Sequence, residues 1–203
     1  MPSIVCEEIA ICPRITLFEG FLSPEECQHL IHLGEGLLAP SQVYPDGEGA
    51  LHTDSRLRDS SSSFLPVGQT PMLASIEHRI AALVNLPTQH GESLQILNYQ
   101  VGQYYRPHID FFAPGNPSCK DTLTYGGQRI ATCLLYLNTP QSGGETHFVR
   151  HGIKIVPIQG NAVLFYNVLP NGEEDWSSLH ASIAVTEGEK WVATKWIREK
   201  PQR

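Results

Sequence analysis

From Ser93 almost to the end of the chain, short runs of β-branched and aromatic residues follow one another with turns between them and no helical pattern. The runs are Leu94 and Ile96, Arg129 to Leu137, Ile153 to Ile158, Ala162 to Phe165, Ile183 to Val185, and Trp191 to Ile197. Gly126-Gly127, Gly143-Gly144, Gly152, Gly160, Asn171-Gly172 and Gly188 punctuate them. A parallel sheet would need helical crossovers between its strands. Closely spaced strands joined by turns instead predict an antiparallel sandwich or barrel.

Two helices precede this region. Ser23-Pro24-Glu25-Glu26 combines a serine cap, proline at the first helical position and glutamate at the third, with Leu30, Ile31 and Leu33 following and Gly34 or Gly36 able to end the helix. Thr70-Pro71 is a second start, with Leu73, Ile76, Ile80, Leu83 and Val84 at roughly helical spacing. The stretch Arg56 to Phe64, rich in serine, reads as a solvated loop, and the helices are expected to buttress one outer sheet. Ala113 to Gly127 is Pro/Gly-rich and long for a connection in a compact domain, which suits a lid. With 203 residues, 41% of them apolar, the chain can bury one good core. A single domain over 1–203 is expected, with helical support over about 18–90 and the β core over about 93–198.

Acidic residues outnumber Lys and Arg by 21 to 14, giving a net charge of -7 with no basic run, so nucleic acid is not an expected partner. The five cysteines form no C-x-x-C pair, which suggests neither a disulfide framework nor a zinc knuckle and fits a reducing cytoplasm. Glu7 and Glu8 interrupt the apolar N-terminal stretch, and no apolar run approaches the ~20 residues of a membrane span. A soluble protein with no membrane partner is expected.

The chemistry centres on Tyr104-Tyr105-Arg106-Pro107-His108-Ile109-Asp110-Phe111-Phe112, a strand-like segment with an imidazole and a carboxylate two residues apart. Residues i and i+2 of a strand leave the same face, so His108 and Asp110 can chelate one ion. A second histidine would complete the 2-His-1-carboxylate face of non-haem Fe(II) oxygenases. Ser178-Leu179-His180-Ala181-Ser182 offers one, although His180 also reads as an ordinary hydrogen-bonded barrel histidine.

Thr186-Glu187-Gly188 reads as a three-residue hairpin loop. That register pairs Ala184 with Lys190 and His180 with Thr194, placing His180 and Lys190 on the inward face about 13 Å apart along the strand. A metal-bound five-carbon dicarboxylate would span the gap, and its far carboxylate would relieve an otherwise unpaired buried ammonium. Glu145 and His147, in Gly143-Gly144-Glu145-Thr146-His147-Phe148, have the same i, i+2 relation and form a rival metal set. Spacing alone does not rank the two sets.

His108-x-Asp110, His180 and Lys190 together resemble the Fe(II)/2-oxoglutarate-dependent dioxygenases of the prolyl 4-hydroxylase family. The likeness extends to Leu97-Asn98-Tyr99-Gln100, Tyr105-Arg106-Pro107-His108, Gly143-Gly144-Glu145-Thr146, Ser178-Leu179-His180-Ala181 and Lys190-Trp191-Val192-Ala193-Thr194-Lys195-Trp196, within roughly Phe18 to Ile197. The resemblance implies a mainly β fold with flanking helices, its core a double-stranded β-helix (jelly roll) of antiparallel strands. It also favours His108, Asp110 and His180 as the iron ligands and Lys190 as the salt-bridge partner of 2-oxoglutarate. It implies cosubstrate contacts from Tyr99 and Thr146, and substrate contacts from Arg58, Ser60, Tyr105, Arg129 and Trp196. Arg58-Asp59-Ser60-Ser61 departs from the family's Arg-Thr-Ser-Ser type of loop, with Asp59 in place of threonine and serines running on to Ser63.

The implied reaction is hydroxylation of a prolyl residue at C4, coupled to conversion of 2-oxoglutarate and O2 to succinate and CO2, with Fe(II) as the metal and ascorbate as reductant. The expected partner is a proline-containing peptide or protein, and a homodimer is compatible with this reading. Free proline or another amino acid is the alternative substrate. A non-oxygenase metal-binding barrel is the alternative of a different class.

Overall fold

Serine and threonine caps start both long helices of the computed structural model, which describes residues 4–43 and 52–202. At α1 (Pro24–Glu35) the capping box is complete: the Glu26 N–H donates to Ser23 Oγ at 3.2 Å, and the Ser23 N–H to Glu26 Oε2 at 2.9 Å. At α2 (Pro71–Val84) the Leu73 N–H donates to Thr70 Oγ1, and Asn85 closes the other end in the left-handed region at φ 53°.

The strands, in chain order, are β1 (Val5–Ile11), β2 (Arg14–Glu19), β3 (Ala39–Pro40), β4 (Ser61–Leu65), β5 (Leu94–Tyr99), β6 (Tyr105–His108) and β7 (Arg129–Tyr136). After these come β8 (Ser142–Gly143), β9 (Thr146–Phe148), β10 (Ile153–Ile155), β11 (Ala162–Tyr166), β12 (His180–Ser182), β13 (Val185–Glu187) and β14 (Lys190–Arg198). Eight form a large sheet in the order β1-β2-β11-β7-β14-β5-β4-β3; four form a smaller sheet, β10-β9-β12-β6; β13 pairs with β8. Every pairing between named strands is antiparallel. This is the expected jelly roll with its helices on the outer face.

The period of two in β14 builds both sides of the molecule. Trp191, Ala193 and Ile197 join Leu30, Leu73, Ile76, Ile80, Leu94 and Ile96 in the core beneath the helices. The alternate residues Lys190, Val192, Thr194 and Trp196 face the cavity between the sheets. That inner face also carries Leu97, Tyr99, Leu134 and Tyr136, packed with Phe148 and Ile155 of the smaller sheet. Helix α1 approaches β5 so closely that a Cβ on Gly34 would lie 2.8 Å from the Ile96 side chain.

Several expectations need correction. Arg56 to Phe64 is not a solvated loop: Ser61–Leu65 is strand β4, with Ser62 and Ser63 buried. The hydroxyls find partners from distant segments, as where Ser63 Oγ donates to the Gly34 carbonyl at 3.1 Å. Thr186 to Gly188 is not a hairpin joining β12 to β14. The chain instead crosses between sheets there, and Lys190 pairs with Tyr99 while Thr194 faces Gln95 and Leu134. A local turn signal is the same for both connections; burial of the inner face decides between them. The connection after Asp110 contains helix α3 (Lys120–Gly126) rather than plain loop. The run at Ile153 stops at Ile155, and residues 183–184 lie between strands. The segment before Ser93 is also not purely helical, because β2 and β4 belong to the large sheet.

Candidate functional site

Strand β6 ends at His108, so Asp110 lies just beyond it on a bend, not on the strand face the i, i+2 argument assumed. The pair still converges, with His108 Nε2 3.8 Å from Asp110 Oδ1. His180 arrives from β12, the antiparallel neighbour of β6, and its Nε2 is 3.9 Å from Asp110 Oδ2. Ligand-capable atoms of the three residues all lie within 4.8 Å of one another, and this is the one such group found among the described residues. The rival residues are placed elsewhere: His147 faces Lys154 and Ala181 in the smaller sheet, while Glu145 acts electrostatically on Lys190.

Each histidine is held by the same device. Nδ1–H of His108 donates to the Arg106 carbonyl at 2.8 Å, and Nδ1–H of His180 to the Ser178 carbonyl at 3.0 Å. These bonds fix the tautomer and leave both Nε2 lone pairs for a metal. Burial, reinforced by nearby His180, pushes the His108 pKa down to about 3, so its ring stays neutral. Burial alone would raise the Asp110 pKa, but His180, Arg129 and the Thr132 hydroxyl outweigh it and hold the carboxyl below its ordinary value. Two imidazoles and one carboxylate suit Fe(II).

Lys190 is 2% exposed, and its Nζ donates to Ser182 Oγ at 3.0 Å. Among the described residues no carboxylate lies within 4.0 Å of it; the Tyr99 and Tyr136 rings lie 5.3 and 5.9 Å away. Burial lowers its pKa to about 7 against the opposing pull of Glu145. Such an ammonium has donors to spare and would gain from an anionic ligand, which is what the far carboxylate of 2-oxoglutarate offers. Tyr99 and Thr146 line the same cavity, and Thr146 Oγ1 accepts from the Tyr136 hydroxyl at 2.8 Å. Lys190 and His180 thus face one cavity from opposite sheets, although the hairpin that was to bring them together does not exist.

The cavity, about 1160 Å³, runs from Lys190 past the three ligand-type residues to Leu37, Phe64 and Trp176. Arg58, Tyr105, Arg129 and Trp196 line it; Ser60 does not, but accepts a hydrogen bond from Arg58 Nε at 3.1 Å. Arg58 lies over the Tyr105 ring, which stacks on His108 with centroids 3.5 Å apart. Burial pushes the Tyr105 hydroxyl up to about 12, Arg58 opposing. Arg129 is held by Glu92 through two 2.7 Å bonds and lies 3.8 Å above the Trp196 ring. The indole N–H of Trp196 is buried without a partner. Sequence reasoning missed Thr132, whose hydroxyl donates to Asp110 Oδ2 at 2.7 Å, and Glu92. It also missed Trp176, 48% exposed at the cavity and edge-on to Phe111. None carries a local signal, since each matters through residues remote in the chain.

The family model of the 2OG-Fe(II) oxygenase superfamily matches residues 94–198, which include the three ligand-type residues and Lys190. The chain is 42% identical to a probable prolyl 4-hydroxylase 6 of Arabidopsis thaliana, over 94% of this chain and 70% of that protein. It is 40% identical to probable prolyl 4-hydroxylase 7 of the same plant, over 95% and 65%. Among solved structures, a viral collagen prolyl hydroxylase of Paramecium Bursaria Chlorella virus-1, in a complex with 2OG, superposes with a TM-score of 0.70 at 28% identity, covering 91% of this chain and 95% of that one. A Trichoplax adhaerens prolyl hydroxylase, solved with a hypoxia inducible factor peptide fragment, shares the fold at a TM-score of 0.63 and 17% identity, covering 91% and 83%.

Proposed function

Because the chain belongs to the prolyl 4-hydroxylase family of the 2OG-Fe(II) oxygenase superfamily, we propose that it hydroxylates prolyl residues at C4 within a peptide or protein, at the site formed by His108, Asp110, His180 and Lys190. The observation that carries this reading is a buried ammonium, without a carboxylate partner among the described residues, facing the same cavity as two imidazoles and a carboxylate. When bound, Fe(II) would activate O2, which is the oxidant; 2-oxoglutarate would supply two electrons, taking one oxygen atom as it becomes succinate and CO2 and leaving the other for an unactivated C–H bond.

The chain's own residues bind and orient. His108, Asp110 and His180 would hold the metal, which would in turn bind the cosubstrate and O2. Lys190 takes the far carboxylate of 2-oxoglutarate, with Tyr99 and Thr146 lining its bed. No side chain needs to remove a proton from the substrate, so the protein's work is alignment and exclusion of water. Arg58 and Tyr105 form one wall of the substrate approach. Trp196 lines the substrate side of the cavity, and Arg129, clamped by Glu92, fixes the plane of its indole. Ascorbate is the proposed reductant for iron oxidised off the productive cycle. A cytoplasmic location fits five cysteines that are all free thiols.

Beyond Lys190 and the three ligand-type residues the cavity continues to the exposed Phe64 and Trp176, and this open end favours a peptide over free proline. The test is 2-oxoglutarate turnover and hydroxyproline formation with a proline-rich peptide and, separately, with free proline. Hydroxylation of free proline alone would sink the peptide reading. Absence of a visible absorption band when 2-oxoglutarate is added to the anaerobic Fe(II) protein, with no succinate in air, would sink the oxygenase reading and favour a hydrolytic metal barrel.

A further inference from the structure

The Asp110 carboxylate is held from behind by side chains that do not line the cavity. Thr132, on β7, donates its hydroxyl proton to Asp110 Oδ2 at 2.7 Å, and its oxygen accepts from Asn167 Nδ2 at 2.9 Å. Both residues are 0% exposed. We propose that Thr132 and Asn167 form a one-way hydrogen-bond relay, Asn167 to Thr132 to Asp110, that sets the orientation of the carboxylate for the metal. The inference rests on the reading of Asp110 as a ligand.

The direction of the relay follows from proton counting. A metal-binding carboxylate is ionised and only accepts. The single proton of Thr132 is therefore spent on Asp110, and the hydroxyl must receive its other bond from a donor. Of the two ends of the Asn167 amide, only the NH2 end donates. Turning the amide over would set Oδ1 against the hydroxyl oxygen with no proton between them, or draw that proton away from Asp110.

The cost of this orientation is visible. Asn167 Oδ1 is buried with no hydrogen-bond partner. Leaving a buried acceptor unpaired costs stability, and a fully buried asparagine bearing one needs a reason. Fixing the donor end toward Thr132 is that reason.

The position of Asn167 is itself anchored to a second ligand. Its backbone N–H donates to the Ile130 carbonyl, and its carbonyl accepts from the Asp175 N–H, both at 2.9 Å. Asp175 caps the turn Trp176–Ser178, accepting from the Ser177 N–H at 2.9 Å. The carbonyl of Ser178 in turn receives His180 Nδ1–H. One residue thus joins the supports of Asp110 and His180, two ligands that are 70 positions apart in the chain.

Partners behind metal ligands typically contribute about 10–100-fold in metal affinity. The experiment measures Fe(II), and separately Mn(II), affinity of the full chain under anaerobic conditions, together with the energy of the visible band formed with 2-oxoglutarate. Thr132→Val is expected to weaken metal binding about 10–100-fold and shift the band, while Thr132→Ser, which keeps the hydroxyl, restores both. Asn167→Ala should weaken binding by less, and the double variant Thr132→Val/Asn167→Ala should be no weaker than Thr132→Val alone, because Asn167 acts through the hydroxyl. Should valine disturb the fold by circular dichroism, Thr132→Ala against Thr132→Ser makes the same comparison. Metal affinity and band unchanged in the folded variants, or losses that simply add, would overturn the relay. Wild-type protein that takes up no Fe(II) would instead overturn the metal-site reading, so the two failures are distinct.

Discussion

His108 and His180 are directly opposed residues of neighbouring antiparallel strands, their ring centroids 4.3 Å apart. Each is locked through Nδ1 to the carbonyl two residues upstream. Two imidazoles so fixed cannot turn away from a shared ion, and the folded state binds metal far better than the unfolded chain. Fe(II) or Mn(II) at a hundred times its Kd should stabilise the protein by about 2.7 kcal/mol, a rise of about 5–10 °C in Tm for a chain of this size. Chelator should abolish the rise, and so should His180→Ala. Thermal unfolding with and without metal checks it; a full metal shift in His180→Ala would contradict the ligand assignment.

Lys190 donates to Ser182 Oγ and lies beside the Tyr99 ring, and it makes no hydrogen bond or ion pair with His108, Asp110 or His180. Lys190→Ala should therefore leave Fe(II) affinity intact while removing the anchor for the distal carboxylate. Losing one partner of a buried charge pair costs about 2–5 kcal/mol. The 2-oxoglutarate requirement should rise about 30-fold or more. Titration of 2-oxoglutarate into Fe(II)-loaded variant protein, followed by the visible band, measures the change, and equal loss of metal and cosubstrate would refute the separation of roles.

The same lysine makes cosubstrate binding depend on pH. In the ligand-free site burial holds its pKa at about 7. A carboxylate arriving at Nζ favours the charged form and raises that value, so above pH 7 the complex holds more protons than the free site. Binding then takes up a proton, and affinity for 2-oxoglutarate falls as pH rises, by up to tenfold per unit until the pKa of the complex is reached. Below about pH 6.5 the lysine is already charged and this dependence flattens. Calorimetry at pH 8 in two buffers of different ionisation enthalpy should show the uptake, which Lys190→Ala should lose.

Features encoded within a few residues were legible in the sequence; features made by remote pairing were not. Ser23 and Glu26 announce the start of α1 because a capping box closes over one turn. His108 and Asp110 were findable because adjacent ligands need only local geometry, even though Asp110 sits past the strand end. The serine run at Ser60 to Ser63 looked solvated because serines lower the apolar signal, and the partners that permit its burial, Ser41 and the Gly34 carbonyl, come from the other side of the 44–51 segment. The register of Lys190 was misread for a related reason. Gly188 signals a turn, at φ +81°, but a turn does not specify whether the next strand stays in its sheet or crosses to the other. Thr132 within apolar β7 and Asn167 just past the end of β11 resemble filler, and only the fold brings positions 22 and 35 residues apart into one hydrogen-bonded chain.

Arg58 tests whether the substrate wall is separate from the metal. The residue is 7% exposed, and its guanidinium lies 4.7 Å over the Tyr105 ring and is steadied by Ser60 Oγ at 3.1 Å and Gln95 Oε1 at 3.4 Å. Tyr105 in turn stacks on His108 at an interplanar angle of 13°. Removing Arg58 therefore loosens Tyr105, while His108 keeps its own bond to the Arg106 carbonyl. Arg58→Ala should raise the KM for a proline-rich peptide about 10–100-fold, the loss of one charge-assisted contact and one cation–π contact. Succinate formed without peptide should change little. Arg58→Lys should not rescue, since an ammonium supplies neither the planar face for Tyr105 nor the fork that reaches Ser60 and Gln95 together. Parallel assays of succinate with and without peptide decide the matter: if both fall equally, Arg58 serves the metal through Tyr105 and His108 rather than the substrate.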